Sequence, residues 1–553
     1  MSDILHPNKN EELEKKLAQA RAHGAEDQYR LSAERLGLPF SDLASVPIDG
    51  EAISVIPEEA ARRAAAAVVV KSGIAITLAT INTESPALKE LITNLKSRGF
   101  KVSVIITSPA GLERAFKRYE SVKIQTEADL GSVEINEDEL SALQAQIGSI
   151  TDLKQQVSGI SVTKLLEILL AGALKIGASD IHFEPTATAV RLRYRFDGVL
   201  QDVTEIDTQS YQKVLNRLKV LGRLKLNIHN SPQDGRFTIR QQHIDIEVRV
   251  SVLPSEYGET VVMRLLDPRT IHSSLEDLGM RPDFLEMAKE QIGKPTGAVF
   301  TTGPTGAGKT TTLYAFLNFL NSSDSKIITI EDPIEYHVIG VSQTQVDPSK
   351  GYTFANGLRA IVRQDPDIVL VGEVRDAETA DIALNAALTG HLVLSTLHTN
   401  DAAGTIPRLI DLGVKPEVIA PAIRMTMAQR LVRKLCSDCR EKQKITPEIL
   451  DKIKKDLEPI RQKFSLPALD EKIEIYAAKG CEKCNNAGYR GRIGLYEAFL
   501  VTREMEQLIL SSPSVSAVRD LAIQQGMVTM RQDAYMKLLA GITSFDEIER
   551  ILG

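Results

Sequence analysis

"VFTTGPTGAGKTTTLYAFL", residues 299–317, runs from an apolar strand through a glycine-rich turn into a helix. Gly303, Gly308, Lys309 and Thr310 stand at the spacing G-x-x-x-x-G-K-T. In such a loop the glycines let backbone N–H groups turn inward onto phosphate oxygens, and the positive end of the following helix faces the same anions. The lysine reaches the β- and γ-phosphates and the hydroxyl after it holds Mg²⁺. Gly303, Pro304, Thr305, Gly306, Ala307, Gly308, Lys309, Thr310 and Thr311 are therefore expected to cradle a nucleoside triphosphate, with Thr310 on magnesium.

Three more apolar strands end in polar residues that belong beside this loop, because ligands of open α/β sheets sit beyond the carboxyl ends of the strands. "KIITIEDPIEY" runs out into Glu331, Asp332 and Glu335, and "DIVLVGEVRD" into Gly372-Glu373. Asp367 opens the second of these strands, and at ~3.3 Å per residue it lies about 20 Å from Glu373, so only one of the two reaches the metal. Glu373 is at the correct end and is expected to share Mg²⁺ with Thr310. Glu335 and Glu373 are both candidates for the base that polarises the attacking water. In "TGHLVLSTLHTND", His398 follows the apolar run and is expected to sense the γ-phosphate, whereas His391 precedes it and is expected to make a structural hydrogen bond.

The four cysteines form two C-x-x-C pairs, Cys436 with Cys439 and Cys481 with Cys484. Two such pairs make a Cys₄ zinc site, in preference to a thiol redox centre or a chance pairing. The charged segment between the pairs is expected to loop out. Arginines recur at period two on one strand (Arg191, Arg193, Arg195) and stand on later ones (Arg236, Arg249, Arg264). Such a face is either solvated or offers guanidinium groups to the charge that develops on a γ-phosphate.

At 553 residues the chain exceeds one core, and its 25% charged and 43% hydrophobic residues are globular values. A net charge of −7 argues against a surface built for nucleic acid. The opening "MSDILHPNKNEELEKKL" reads as neither a signal nor a transit peptide, which predicts a cytosolic protein, and the apolar stretches are too interrupted to span a membrane. Residues 1–122 alternate β-branched and helical runs and predict a small N-terminal α/β module suited to docking a partner. An acidic linker follows over 123–160. Residues 161–282 open with an amphipathic helix and continue as alternating strands with an Asp197-Gly198 hairpin signal. From 283 to 553 helices and apolar strands alternate as a parallel sheet requires, with the cysteines in an insertion at about 430–490.

From about residue 160 to the end, these motifs resemble the secretion ATPases of type II secretion and type IV pilus systems: "ASDIHFEP", "RFDGVL", "PQDGRF", "GPTGAGKTTTLY", "TIEDPIEY", "RQDPDIVLVGEVRDAETA", "TGHLVLSTLHTNDA", "AQRLVRKLCSDC" and "GYRGRIGLYE". The resemblance implies a RecA-like ATPase domain preceded by a strand-rich, PAS-like α+β domain. It implies ATP, Mg²⁺ and Zn²⁺ as cofactors, with Arg249 and Arg264 reaching nucleotide across a ring. It further implies a cytoplasmic homo-hexamer served by an inner-membrane platform protein and its cytoplasmic adaptor, with no direct contact to nucleic acid. The twin cysteine pairs and long N-terminal region resemble the pilus assembly motors, with a type II secretion ATPase as the alternative. Some members carry an N-terminal cyclic-di-GMP module that opens on R-L-G; "RLGLPFSDL" matches three letters and not the rest, so that ligand is not carried over. A nucleic-acid translocase is disfavoured for want of a basic-aromatic run, and a non-hydrolysing scaffold because Lys309, Glu335 and Glu373 are all present.

Overall fold

The strand that delivers the glycine-rich loop is buried at all six positions, Gly297–Thr302, as are its neighbours Ile327–Glu331, Ile368–Val371 and Leu392–Leu397. Strands apolar on both faces belong in the middle of a parallel sheet covered by helices. The computed structural model describes residues 26–43, 50–53, 55–72, 75–121, 132–134, 162–241, 244–268 and 274–553, and falls into two units, residues 1–130 and 131–553.

In the first unit residues 26–36 are helical, and β1 (Ala66–Ser72), β2 (Ala75–Thr80) and β3 (Lys101–Ile106) form one sheet, antiparallel between β1 and β2 and parallel between β2 and β3. Helices Pro86–Ser97 and Pro109–Ser121 follow β2 and β3, so the alternation expected here is present. The expected linker at 123–160 lies outside the described residues except for β4 (Ser132–Glu134).

The second unit begins with helix Val162–Ile176 and the strands β5 (Asp180–Pro185), β6 (Val190–Phe196), β7 (Val199–Ile206), β8 (Gln233–Gln241), β9 (Ile244–Ser255) and β10 (Gly258–Leu266). Among the described residues their sheet runs β4-β8-β9-β10-β5-β6-β7. Its alternate side chains, such as Leu192, Tyr194, Val248 and Val250, bury against helices Val162–Ile176 and Thr208–Leu221. The β6–β7 turn has Asp197 at φ 47° and Gly198 at φ 85°, the two left-handed positions that an Asp-Gly hairpin demands.

The nucleotide-type sheet comprises β11 (Gly297–Thr302), β12 (Ile327–Glu331), β13 (Ser342–Gln345), β14 (Ile368–Val371), β15 (Leu392–Leu397), β16 (Ile423–Leu435) and, after the small ladder of β17 (Glu441–Lys444) and β18 (Glu474–Ala477), β19 (Tyr489–Leu500). Its order is β13-β12-β14-β15-β11-β16-β19, parallel up to β16, with β19 antiparallel at the edge.

The segment between the cysteine pairs corrects the expectation that it loops out. Leu450, Ile453 and Leu457 fall on one face of helix Pro447–Leu457 and are buried in the same core as Ile445, Leu469 and Ile475. Its charges occupy the opposite face, which is why composition alone suggested a loop. The segment's ends meet at the cysteines, whose four Sγ atoms lie within 4.8 Å of one another. Sulfur separations are 4.0 Å for Cys436–Cys481, 3.8 Å for Cys439–Cys484 and 3.7 Å for Cys481–Cys484. Tetrahedral Zn–S bonds of ~2.3 Å demand edges of about 3.8 Å, so the donor set fits zinc. The Cys481 and Gly488 N–H groups both donate to Cys484 Sγ at 3.2 Å, which favours thiolate. Replacing Cys436 and Cys481 together is expected to abolish one zinc per chain by elemental analysis and to lower the melting temperature. Protein purified without chelators that holds no zinc would refute the assignment.

Candidate active site

The loop after β11 owes its path to three left-handed glycines, Gly303 (φ 148°), Gly306 (φ 78°) and Gly308 (φ 88°). Two of them also touch β16. A Cβ on Gly303 would meet the Gln429 carbonyl oxygen at 2.5 Å, and one on Gly308 the Gln429 amide nitrogen at 2.8 Å. Gln429 in turn accepts a hydrogen bond from Thr312 Oγ1 (2.8 Å), pinning helix Lys309–Leu320 to the sheet. Lys309 Nζ donates to the carbonyls of Gly303 (2.7 Å) and Pro304 (3.1 Å). Burial lowers its ammonium pKa from the ordinary value; Glu373 offsets part of this and Arg430 adds to it.

Residues Thr305–Thr311 line a cleft of about 390 Å³, together with Glu335, Glu373, His398 and Arg264. Gly303 and Pro304 shape the loop behind it. The acids and His398 arrive from the ends of β12, β14 and β15, as the strand argument predicts. Glu373 pairs with Arg375 and lies 3.1 Å from His398 Nε2. Asp367 lies at the opposite end of β14 and accepts from the Lys326 N–H (2.7 Å). His391 makes the structural bond expected of it, Nδ1 to the Ala386 carbonyl at 3.0 Å.

Glu331 and Glu335 have different surroundings. Glu331 is 3% exposed, and its carboxylate accepts from Tyr314 (2.5 Å), Thr329 (2.6 Å) and Gln343 (3.2 Å). Three donors leave it little capacity for a water. Glu335 pairs with Arg249 Nη1 at 2.9 Å, while Arg249 Nη2 donates to the Ile334 carbonyl (2.8 Å). Arg264 binds buried Asp180 through Nε (2.9 Å). Where the family resemblance implies arginines reaching across a ring, β9 and β10 bring both to the cleft or its flanking loop within one chain. Arg191 and Arg236 are exposed; Arg193 pairs with Glu184 and Asp202, and Arg195 with Asp180.

Sequence reasoning missed Gln429, Tyr314, Arg430 and Arg492. Tyr314 and Arg492 line the cleft, Gln429 packs beneath the loop, and Arg430 donates to the Asn400 carbonyl (3.0 Å) beyond β15. All four stood in quoted motifs, but Gln429 and Arg430 reach the loop only through the β11–β16 pairing and Arg492 through the β16–β19 pairing. Lys309, Arg264 and Arg492 bring positive charge to the cleft, which Glu331, Asp332, Glu335 and Glu373 also line. Thr310 and Glu373 both line the cleft and offer oxygens that could hold Mg²⁺.

A family model described as "Type II/IV secretion system protein" matches residues 155–550, and one described as "MshEN domain" matches 36–126. The chain is 42% identical over 440 residues to the type II secretion system ATPase E of Vibrio cholerae, covering 80% of this chain and 84% of that protein. It is 34% identical over 536 residues to the type IV pilus assembly ATPase PilB of Myxococcus xanthus, covering 95% and 91%. Among solved structures, the Legionella pneumophila ATPase DotB shares the fold with a TM-score of 0.52 at 23% identity, over 71% of this chain and 96% of that one. The phosphate loop, the carboxylates at the strand ends and these matches lead to one conclusion: the chain belongs to the type II/IV secretion system family and is an ATP-hydrolysing motor protein.

Proposed function

We propose that the chain is the motor of type IV pilus assembly, a cytoplasmic homo-hexamer that hydrolyses ATP to polymerise pilin from the inner membrane. One observation carries the choice of machine. The match to the pilus assembly ATPase extends over 95% of this chain and so takes in the N-terminal unit, whereas that to the type II secretion ATPase takes in 80%. The higher identity of the latter, 42%, keeps pseudopilus assembly in type II secretion as the second reading. No helix among the described residues is long and apolar enough to cross a membrane, so force passes through partners, an inner-membrane platform protein and its cytoplasmic adaptor.

In the proposed reaction Lys309 and the loop N–H groups bind the β- and γ-phosphates; Thr310 and Glu373 would hold magnesium, which would supply charge neutralisation there. Glu373, which follows β14 and lines the cleft beside the phosphate loop, is assigned to the metal side. Glu335 lines the same cleft from the segment after β12, paired with Arg249, and is assigned the attacking water. Arg249 Nη1, 2.9 Å from the Glu335 carboxylate, orients it. His398, hydrogen-bonded to Glu373, reports on the γ-phosphate, and Arg264 meets the charge that develops on it.

Glu335→Gln is expected to lower kcat about 10²–10⁴-fold, the usual contribution of a general base, with ATP affinity retained. Lys309→Ala is expected to lose binding itself, as read by titration with a fluorescent ATP analogue. Normal turnover in either variant would sink the site assignment. Deleting residues 1–150 is expected to leave ATP hydrolysis within a few-fold of the full chain while abolishing pilus extension in cells. Secretion lost with pilus extension intact would favour the second reading, and collapse of turnover in solution would remove the N-terminal unit from its docking role.

A further inference from the structure

Three stretches of the sequence, "ASDIHFEP", "RFDGVL" and "GYRGRIG", come close to one another at the tip of the β6–β7 hairpin. Asp197 sits there in the left-handed conformation, which asparagine or glycine would serve equally well, so the turn alone does not call for a carboxylate. Its Oδ2 accepts the Gly491 N–H at 2.7 Å, across 294 residues of chain. Its Oδ1 lies 4.0 Å from Arg492 Nε.

The Gly491 N–H is available because the β16–β19 ladder slips between Arg433 and Leu435. Such a bulge leaves an extra residue without a ladder partner and re-aims the side chain beside it. The two arginines opposite each other in this ladder, Arg433 and Arg492, have different fates. Arg433 is locked to buried Glu547 through Nε (3.0 Å) and Nη2 (2.6 Å). Arg492 lies 4.0 Å from the carboxylate of Asp197, its ion-pair partner among the described residues, and lines the phosphate cleft. The other cleft arginine leads back to the same tip: Arg264 binds Asp180, Asp180 pairs with Arg195 (3.4 Å), and Arg195 Nη1 donates to the Gly198 carbonyl (3.1 Å).

We propose that Asp197 is a positioning residue for ATP hydrolysis: it grips the bulge at Gly491 and sets Arg492 against the phosphates, so that the hairpin tip aligns Arg492 and Arg264 as a pair. The contact is long enough to orient the guanidinium without neutralising it, and a phosphate then competes on favourable terms. The chemical class recognised is the β/γ-phosphate group of the nucleotide, and the proposal rests on the cleft being the ATP site.

The test is a double-mutant cycle in the full chain. Asp197→Gly and Asp197→Asn both suit φ 47°, so neither strains the turn. Asp197→Gly is expected to lower kcat/KM for ATP roughly tenfold with little change in melting temperature, the size of an ordinary coupling between contacting residues. Asp197→Asn keeps an oxygen for the Gly491 N–H and loses the charge, and is expected to cost roughly two- to threefold. In an Arg492→Ala background, where affinity for a fluorescent ATP analogue supplies the readout if turnover is too slow, both effects are expected to shrink below about twofold. An Asp197→Asn protein indistinguishable from wild type overturns the proposal, as does an Asp197 effect of equal size with and without Arg492. Lys309→Ala is the control: analogue binding that survives it means that the cleft assignment has failed, a result distinct from failure of the Asp197 contact.

Discussion

The absence of a side chain at Gly303 is the constraint on which the site depends. Any Cβ there would strike the backbone oxygen of Gln429, which cannot move without shifting β16, so the phosphate loop and β16 approach each other at a distance only glycine allows. Through that approach the loop is referenced to a strand that leads, in one direction, into the helices after β15 and, in the other, to Cys436. The partner strand β19 leaves from Cys484 and returns along β16. The four sulfurs thus close the far end of the same two-stranded unit whose middle supports the phosphates. A cysteine cluster some distance from the chemistry helps to fix where Arg492 stands.

The acids show why position on a strand does not by itself assign a role. Glu331 and Glu335 are four residues apart, but Glu331 faces inward to three donors and Glu335 outward to one arginine. A carboxylate saturated with hydrogen bonds is a structural strut that holds Tyr314 and the start of β13 together. One held by a single guanidinium keeps lone pairs for a water. Burial of Tyr314, and then the charge of Glu331, raises the phenol's pKa, which keeps this strut protonated on the tyrosine side at any ordinary pH.

What was legible in the sequence was local. Gly303 to Thr310 announce their function within one strand, turn and helix, and the cysteine pairs carry their spacing on their face. The ends of β12, β14 and β15 were also readable, because a buried parallel strand has one direction and its polar terminus must lie at the ligand side. The folded segment between the cysteine pairs was not readable: its charge is real, but three apolar residues at helical spacing decide its fate, and they bury against helices about 80 residues further on. For the arginines of β9 and β10 spacing left two roles open, for a related reason. Period two tells which face a residue occupies and not what stands opposite, and Glu335 lies 86 residues from Arg249 in the chain. Gln429 was hidden between apolar residues of β16, where its amide packs against Gly308 of the loop.

The charge distribution reconciles an acidic protein with a polyanionic ligand. A net charge of −7 would repel a triphosphate at long range, but at physiological ionic strength that repulsion is screened beyond about 8 Å. Inside the cleft the balance is local: Lys309, Arg264 and Arg492 line it, with Arg430 close behind. The same lining holds Glu331, Asp332, Glu335 and Glu373, whose charge is partly offset by the donors to Glu331 and by Arg249 and Arg375. Three of the cations are oriented from outside the P-loop: Arg264 by Asp180, Arg430 by the Asn400 carbonyl, and Arg492 by Asp197. The loop therefore supplies the cradle, and the surrounding strands decide how much positive charge faces it. A change in angle between the strand-rich sheet and the loop would alter that charge before it altered any contact within the loop itself. Such an arrangement lets chemistry at the phosphates and movement of a neighbouring sheet influence each other in both directions.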